Sequence, residues 1–196
     1  MSQDLQQAKQ KKKSSRSKKR STDTVYLFGY GSLNVPMVES LIGKKLKHEP
    51  LPAYLPNHVR IFSGHSGYWN GAVASVHPME GRKVYGSLIT LQRGDLQALD
   101  DYEGDWYSRV KRVVVVGNNK EKKMVYVYIK NDTTFESMPS IRYINSIKTN
   151  LKRVGNDRKD RIPINLVLEV DGKQRVVEVQ MPIYKKDQRD SPLSLT

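Results

Sequence analysis

The stretch "LFGYGSLN", residues 27–34, sets two glycines and a serine around a tyrosine, directly after an apolar run. With the residues before it, "TVYLFGYGSL" reads as a short β-branched and aromatic strand entering a turn. A dinucleotide fingerprint needs G-x-G-x-x-G opening a helix inside a βαβ unit. Gly29 and Gly31 fit that spacing, but Asn34 stands at the third glycine, and no strand–helix alternation follows. A phosphate-binding G-x-x-x-x-G-K-[ST] loop fails as well. Two readings remain. Small residues at 29, 31 and 32 let the backbone approach a ligand closely, with N–H groups converging on a carboxylate or phosphate. Alternatively, the glycines simply make a tight turn.

Working outward, "VPMVESLIG" carries Val35, Val38, Leu41 and Ile42 on one helical face, with Pro36 near its start and Gly43 at its end. "LPAYLPNHVRIFSG" is extended, and its prolines argue against a central strand over its first half. "GAVASVHP" and "KVYGSLITL" flank "MEGR" and read as a hairpin. "RGDLQALDDYEG" is helical: Asp95 can cap it, Leu96, Leu99 and Tyr102 face inward, and Gly104 ends it. Two strands follow, "YSRVKRVVVVG" and "KKMVYVYIK". The clearest helix is "PSIRYINSIKTNLKRV", with Ile141, Ile144, Ile147 and Leu151 near helical spacing. Beyond Gly155, "INLVLEV" and "QRVVEVQMPIY" read as a further hairpin turning at Asp171–Gly172, and the last ten residues as frayed. Strands outnumber helices and mostly follow one another, which argues for an α+β fold with a largely antiparallel sheet or small barrel.

The chain has 196 residues, no cysteine and a net charge of +14. Without cysteine, disulfides, thiolate metal sites and a cysteine nucleophile are excluded. No apolar run reaches membrane-span length and no signal-peptide core is present, so an intracellular protein, cytoplasmic or nuclear, with no membrane association is expected. Residues 1–24 carry eight Lys/Arg, and "KQKKKSSRSKKR" (residues 9–20) is a like-charge block with no apolar residue. It reads as a disordered basic tail, either a nuclear-import or nucleic-acid arm or a solvated segment with weak, salt-sensitive polyanion affinity. His48, His58, His65 and His77 are scattered, so neither a metal site nor a cofactor is expected. "SGHSGYWNG" suits a flap over a site equally with an ordinary loop holding a buried tryptophan. "IKTNLKRVGNDRKDR" reads as a solvated helix face.

In "LDDYEGDWYSRVKRVVVV", Glu103 ends a helix just before a strand, flanked by Tyr102, Trp106 and Tyr107. An apolar wall disfavours the charged carboxylate and raises its pKa toward the range useful for proton transfer. A lone glutamate at a helix end is more often simply solvated.

In combination these pieces are more specific. Phe28-Gly29-Tyr30-Gly31-Ser32-Leu33, then Asp100-Asp101-Tyr102-Glu103-Gly104 with Tyr107 and Arg109, then Pro139-Ser140 and Tyr143 opening a late helix, occur in that order. "NGAVASVHPMEGRKVYGSLITL" fits the strands before the acidic helix. The sequence resembles the gamma-glutamylcyclotransferase-like family over residues 25–155, with the basic tail (1–24) and a C-terminal extension (156–196) outside. The resemblance implies a small mixed, largely antiparallel β-barrel with flanking helices. It also implies a cofactor-free enzyme that releases 5-oxoproline and a free amine from a small γ-glutamyl amide or peptide. Glu103 matches the family's general acid/base. Gly29, Tyr30, Gly31, Ser32 and Leu33 match its glutamyl-binding turn, Tyr107 a substrate-binding or Glu103-orienting hydroxyl, and Tyr143 a pocket-lining one. Leu33 stands where cyclotransferases acting on free γ-glutamyl amino acids carry Asn, so the substrate stays open. The competing expectation is a catalytically silent binding module of the same fold, directed to nucleic acid or the nucleus by its basic arm.

Overall fold

The computed structural model describes residues 23–156 and 162–180. The basic tail at residues 9–20 and the last ten residues lie outside them.

Five strands close into a barrel: β1 (Thr24–Gly29), β2 (Leu51–Ser66), β3 (Gly71–Gln92), β4 (Tyr107–Val116) and β5 (Glu121–Lys130). Their order is β1-β3-β2-β4-β5. Each pair is antiparallel except the closing one, where β1 meets β5 in parallel at Leu27↔Tyr126. The barrel is thus mixed and largely antiparallel. Three helices flank it: α1 (Val35–Ile42), α2 (Leu96–Glu103) and α3 (Ile141–Arg153). β6 (Ile164–Val170) and β7 (Lys173–Val179) form a separate hairpin, with Asp171 and Gly172 both at positive φ, as a two-residue turn requires.

β1 is apolar on both sides because both sides are covered. Phe28 joins one buried cluster with Leu55, Phe62, Val127, Tyr143 and Ile147, while Leu27 and Val25 join another with Val38 of α1, Ile89, and Leu99 of α2. Alternation along the strand therefore places α1 and α2 on one face of β1 and the larger core on the other. Asn34 caps α1 by accepting from Met37 N at 3.0 Å, and Ser140 caps α3 through Tyr143 N at 3.2 Å. Ile162, Ile164 and Leu166 belong to the larger core, so the segment leading into β6 is packed rather than appended.

Four local expectations need correction. Residues 71–92 form one long strand, not a hairpin. The register steps from Pro56↔Lys83 to His58↔Pro78, so residues 79–82 bulge out opposite Asn57, whose Oδ1 accepts from Gly81 N at 3.2 Å. The turn-like "MEGR" is a bulge. The prolines of β2 do not exclude it from the barrel interior order, where it pairs with both β3 and β4. Pro52 meets β4 only through its carbonyl, which accepts from Gly117 N at 2.8 Å, and Pro56 sits at the bulge, so neither leaves a ladder bond unmade. Finally, Tyr102 does not face the core with Leu96 and Leu99: it is 38% exposed. Asp95 caps the short 3-10 turn before α2, accepting from Gln92 N at 3.0 Å, rather than α2 itself.

Candidate functional site

The glycine turn leaves the end of β1 under tight packing. A Cβ on Gly29 would lie 2.3 Å from the Leu33 carbonyl oxygen, and one on Gly31 would lie 2.9 Å from the Tyr143 hydroxyl. Only glycine fits at these two close approaches. Beneath the turn, β2 contributes Arg60, which is buried and donates from Nε to the Tyr30 carbonyl (3.1 Å) and from Nη2 to the Tyr85 carbonyl (2.7 Å). Burial lowers its pKa to about 10. The Tyr30 hydroxyl donates to the Tyr128 carbonyl at 2.5 Å, and that of Tyr143 accepts from Ala74 N at 3.0 Å. Burial raises both phenols, and the Glu103 charge adds to the effect. The turn is thereby fixed from below by a guanidinium and two phenols.

Glu103 is the last residue of α2, stopped by Gly104 at φ 52°. It is 7% exposed, and burial raises its carboxyl to about 8. Three residues earlier, Asp100 is engaged otherwise, accepting from Arg109 Nη1 at 2.6 Å and from the Tyr128 hydroxyl at 2.7 Å. After the short turn Gly104–Trp106, Tyr107 opens β4 and donates to the Ala74 carbonyl at 3.0 Å.

Glu103, Ser32 and Tyr107 stand between two spaces. A recess of about 20 Å³ lies against Tyr30, Gly31 and Leu33. A larger cavity of about 260 Å³ is walled by Trp69, Tyr102, Trp106 and Lys130, among others. The structure therefore brings together Glu103, Tyr107 and the turn at residues 30–33. Gly29 and Tyr143 line neither space: Gly29 allows the chain to turn, and Tyr143 lies fully buried under Gly31, so the expected pocket-lining hydroxyl is a support instead. The stretch "SGHSGYWNG" lines the cavity beside Glu103, and within it Trp69 is buried against Tyr143, with ring centroids 4.8 Å apart, while Tyr68 is exposed.

Arg60 and Lys130 were not evident as site residues from the sequence. A basic residue inside the apolar run "HVRIFS" was the available signal for Arg60; Lys130, at the end of "YVYIK", looks like any solvated strand end. Chemically, the site offers one carboxyl able to give or take a proton near neutral pH, beside a rigid turn and a cavity for the rest of a ligand. Among the described residues no cluster of three or more His, Asp or Glu is placed to hold a metal ion, and no helix is long and apolar enough to cross a membrane.

The family model for gamma-glutamyl cyclotransferase, AIG2-like proteins matches residues 27–145. No curated protein matches the chain. Among solved structures, one described as gamma-glutamyl cyclotransferase is similar at 22% identity and TM-score 0.60, over 68% of this chain and 81% of that one. A human structure described as uncharacterized protein loc79017 is similar at 22% identity and TM-score 0.60, over 67% and 80%. YkqA from Bacillus subtilis is similar at 19% identity and TM-score 0.54, over 66% and 49%. At these identities the structural likenesses speak for the fold.

Proposed function

Because the chain belongs to the gamma-glutamyl cyclotransferase, AIG2-like family, we propose that it releases 5-oxoproline and a free amine from a γ-glutamyl amide, with Glu103 as general acid/base. The substrate's α-amine attacks its own γ-carbonyl, forming the ring C–N bond. Ring closure is internal, so the protein's part is to fold the substrate and move a proton. The Glu103 carboxylate takes the proton from the attacking nitrogen and delivers it to the leaving nitrogen as the old C–N bond breaks, so no water is consumed. The turn at residues 30–33 holds the glutamyl end through its backbone N–H groups, kept in place by Arg60 and Tyr143 beneath. Tyr107 closes the wall beside Glu103.

One observation carries this reading: a buried carboxyl raised to about 8 beside the turn. A pKa near the working pH lets one group act as base and then as acid. The test is 5-oxoproline release from γ-glutamyl-alanine, glutathione and γ-glutamyl-ε-lysine by the wild type and Glu103→Gln. Release from at least one substrate, lost in the variant, is expected; silence across the panel from folded protein overturns the reading.

A further inference from the structure

Lys130 ends β5 across from Tyr107, its cross-strand partner, and lines the same cavity. It is 6% exposed, yet its ammonium makes one hydrogen bond among the described residues, to the Asp132 carbonyl at 3.1 Å. It also lies over the Trp106 ring, 5.6 Å from the centroid. None of the ion pairs among the described residues involves it. Glu136, the carboxylate on the same cavity wall, is exposed and does not close on it. The exposed Asp132 carboxylate feels the charge of Lys130 without forming an ion pair with it, and a buried ammonium has three donors to fill. The backbone nonetheless makes room for it: Gly64, at φ +60°, leaves open the place where a Cβ would lie 2.9 Å from Nζ. The indole N–H of Trp69, another residue of this wall, is itself sealed from the cavity and faces the Tyr102 hydroxyl. The unfilled donors of the Lys130 ammonium call for a ligand that brings an acceptor.

The direction of binding follows from the two spaces. With the glutamyl end against the turn and the scissile bond at Glu103, the leaving amine occupies the larger cavity, where Lys130 is. We propose that Lys130 is a specificity-determining residue that pairs with a carboxylate on the leaving amine, and so favours a γ-glutamyl conjugate bearing that carboxylate over the matching amide. The proposal rests on the cyclotransferase reading for the identity of the reaction, but the anion site itself does not.

The experiment compares kcat/KM for γ-glutamyl-alanine and γ-glutamyl-alaninamide in the wild type, Lys130→Gln and Lys130→Arg. A charge-assisted hydrogen bond of this kind is expected to favour the acid by about 10- to 100-fold in the wild type. That ratio falls towards one in Lys130→Gln, through KM, and is partly kept in Lys130→Arg. An unchanged ratio, or equal loss on both substrates, overturns the proposal and makes Lys130 a packing residue. A second arm needs no turnover. Both tryptophans of the chain line this cavity, so their fluorescence reports its occupancy. Titration with N-acetyl-alanine and its amide should show the acid bound at least about tenfold more weakly by Lys130→Gln than by wild type. If no 5-oxoproline forms but this difference appears, the cyclotransferase reading fails and the anion site stands. Equal titration of the two proteins overturns the anion site.

Discussion

Two carboxylates one turn apart on α2, Asp100 and Glu103, have opposite fates. Asp100 meets Arg109 and the Tyr128 hydroxyl at about a third exposure, so each of its carboxylate oxygens has a donor. Glu103 is buried among tyrosines, and burial alone raises its pKa to about 8. The residue types are nearly the same; what differs is the supply of partners. A carboxylate given donors is a strut, whereas one denied them holds its proton into the neutral range and becomes available for chemistry.

The sharpest way to break that contrast is Glu103→Gln, which keeps shape and removes the proton carrier. 5-Oxoproline release is expected to fall by about 10²- to 10⁴-fold, the usual worth of general acid/base catalysis. A small loss would mean that proton transfer runs through another group. Next in size, Gly31→Ala drives a Cβ to 2.9 Å from the Tyr143 hydroxyl and 3.3 Å from Ala74 Cβ. The turn must shift away from Glu103, and kcat/KM is expected to drop by about 100-fold or less, since such misplacement alone carries penalties of that order. Unchanged kinetics would show that the turn does not hold substrate.

A smaller effect appears in stability against pH. The folded-state pKa of Glu103 is raised from 4.5 to about 8. Between those values the unfolded chain releases the proton first, so stability is fully present below the unfolded pKa and is lost as pH rises through the folded one. The Tm of Glu103→Gln should therefore gain on the wild type from pH 5 to pH 8, as followed by thermal melts; parallel curves would contradict the burial argument. Smallest of all is Asp100→Asn. Its ion pair is partly screened by solvent, so at most about 1 kcal/mol of stability is expected to go, with kcat/KM within about fivefold of wild type. An effect as large as that of Glu103→Gln would erase the distinction between the two carboxylates.

Most of the architecture was legible because the signals were local and consistent. The β-branched and aromatic run at residues 24–28, the Pro36 and Gly43 bounds of α1, the Pro139–Ser140 start of α3 and the Asp171–Gly172 turn each have one physical reading, and the structure follows it. The bulge at residues 79–82 was not legible, because a glycine among charged residues looks the same in a hairpin turn and in a ladder interrupted by pairing from the neighbouring strand. Tyr102 read as core from its spacing with Leu99; its exposure reflects the cavity beyond the end of α2, which periodicity does not encode. Glu103 and the turn stood out together through the family resemblance, not through either alone. Arg60 and Lys130 stayed hidden because charge on a strand normally signals solvent. Only the barrel's closure shows that both are buried.

The most direct test of the central claim is a carboxyl 13C NMR titration of glutamate-labelled protein, with Glu103→Gln supplying the assignment. The account predicts a Glu103 midpoint at about 8. A midpoint near the ordinary 4.5 would contradict it and leave the site without its proton carrier.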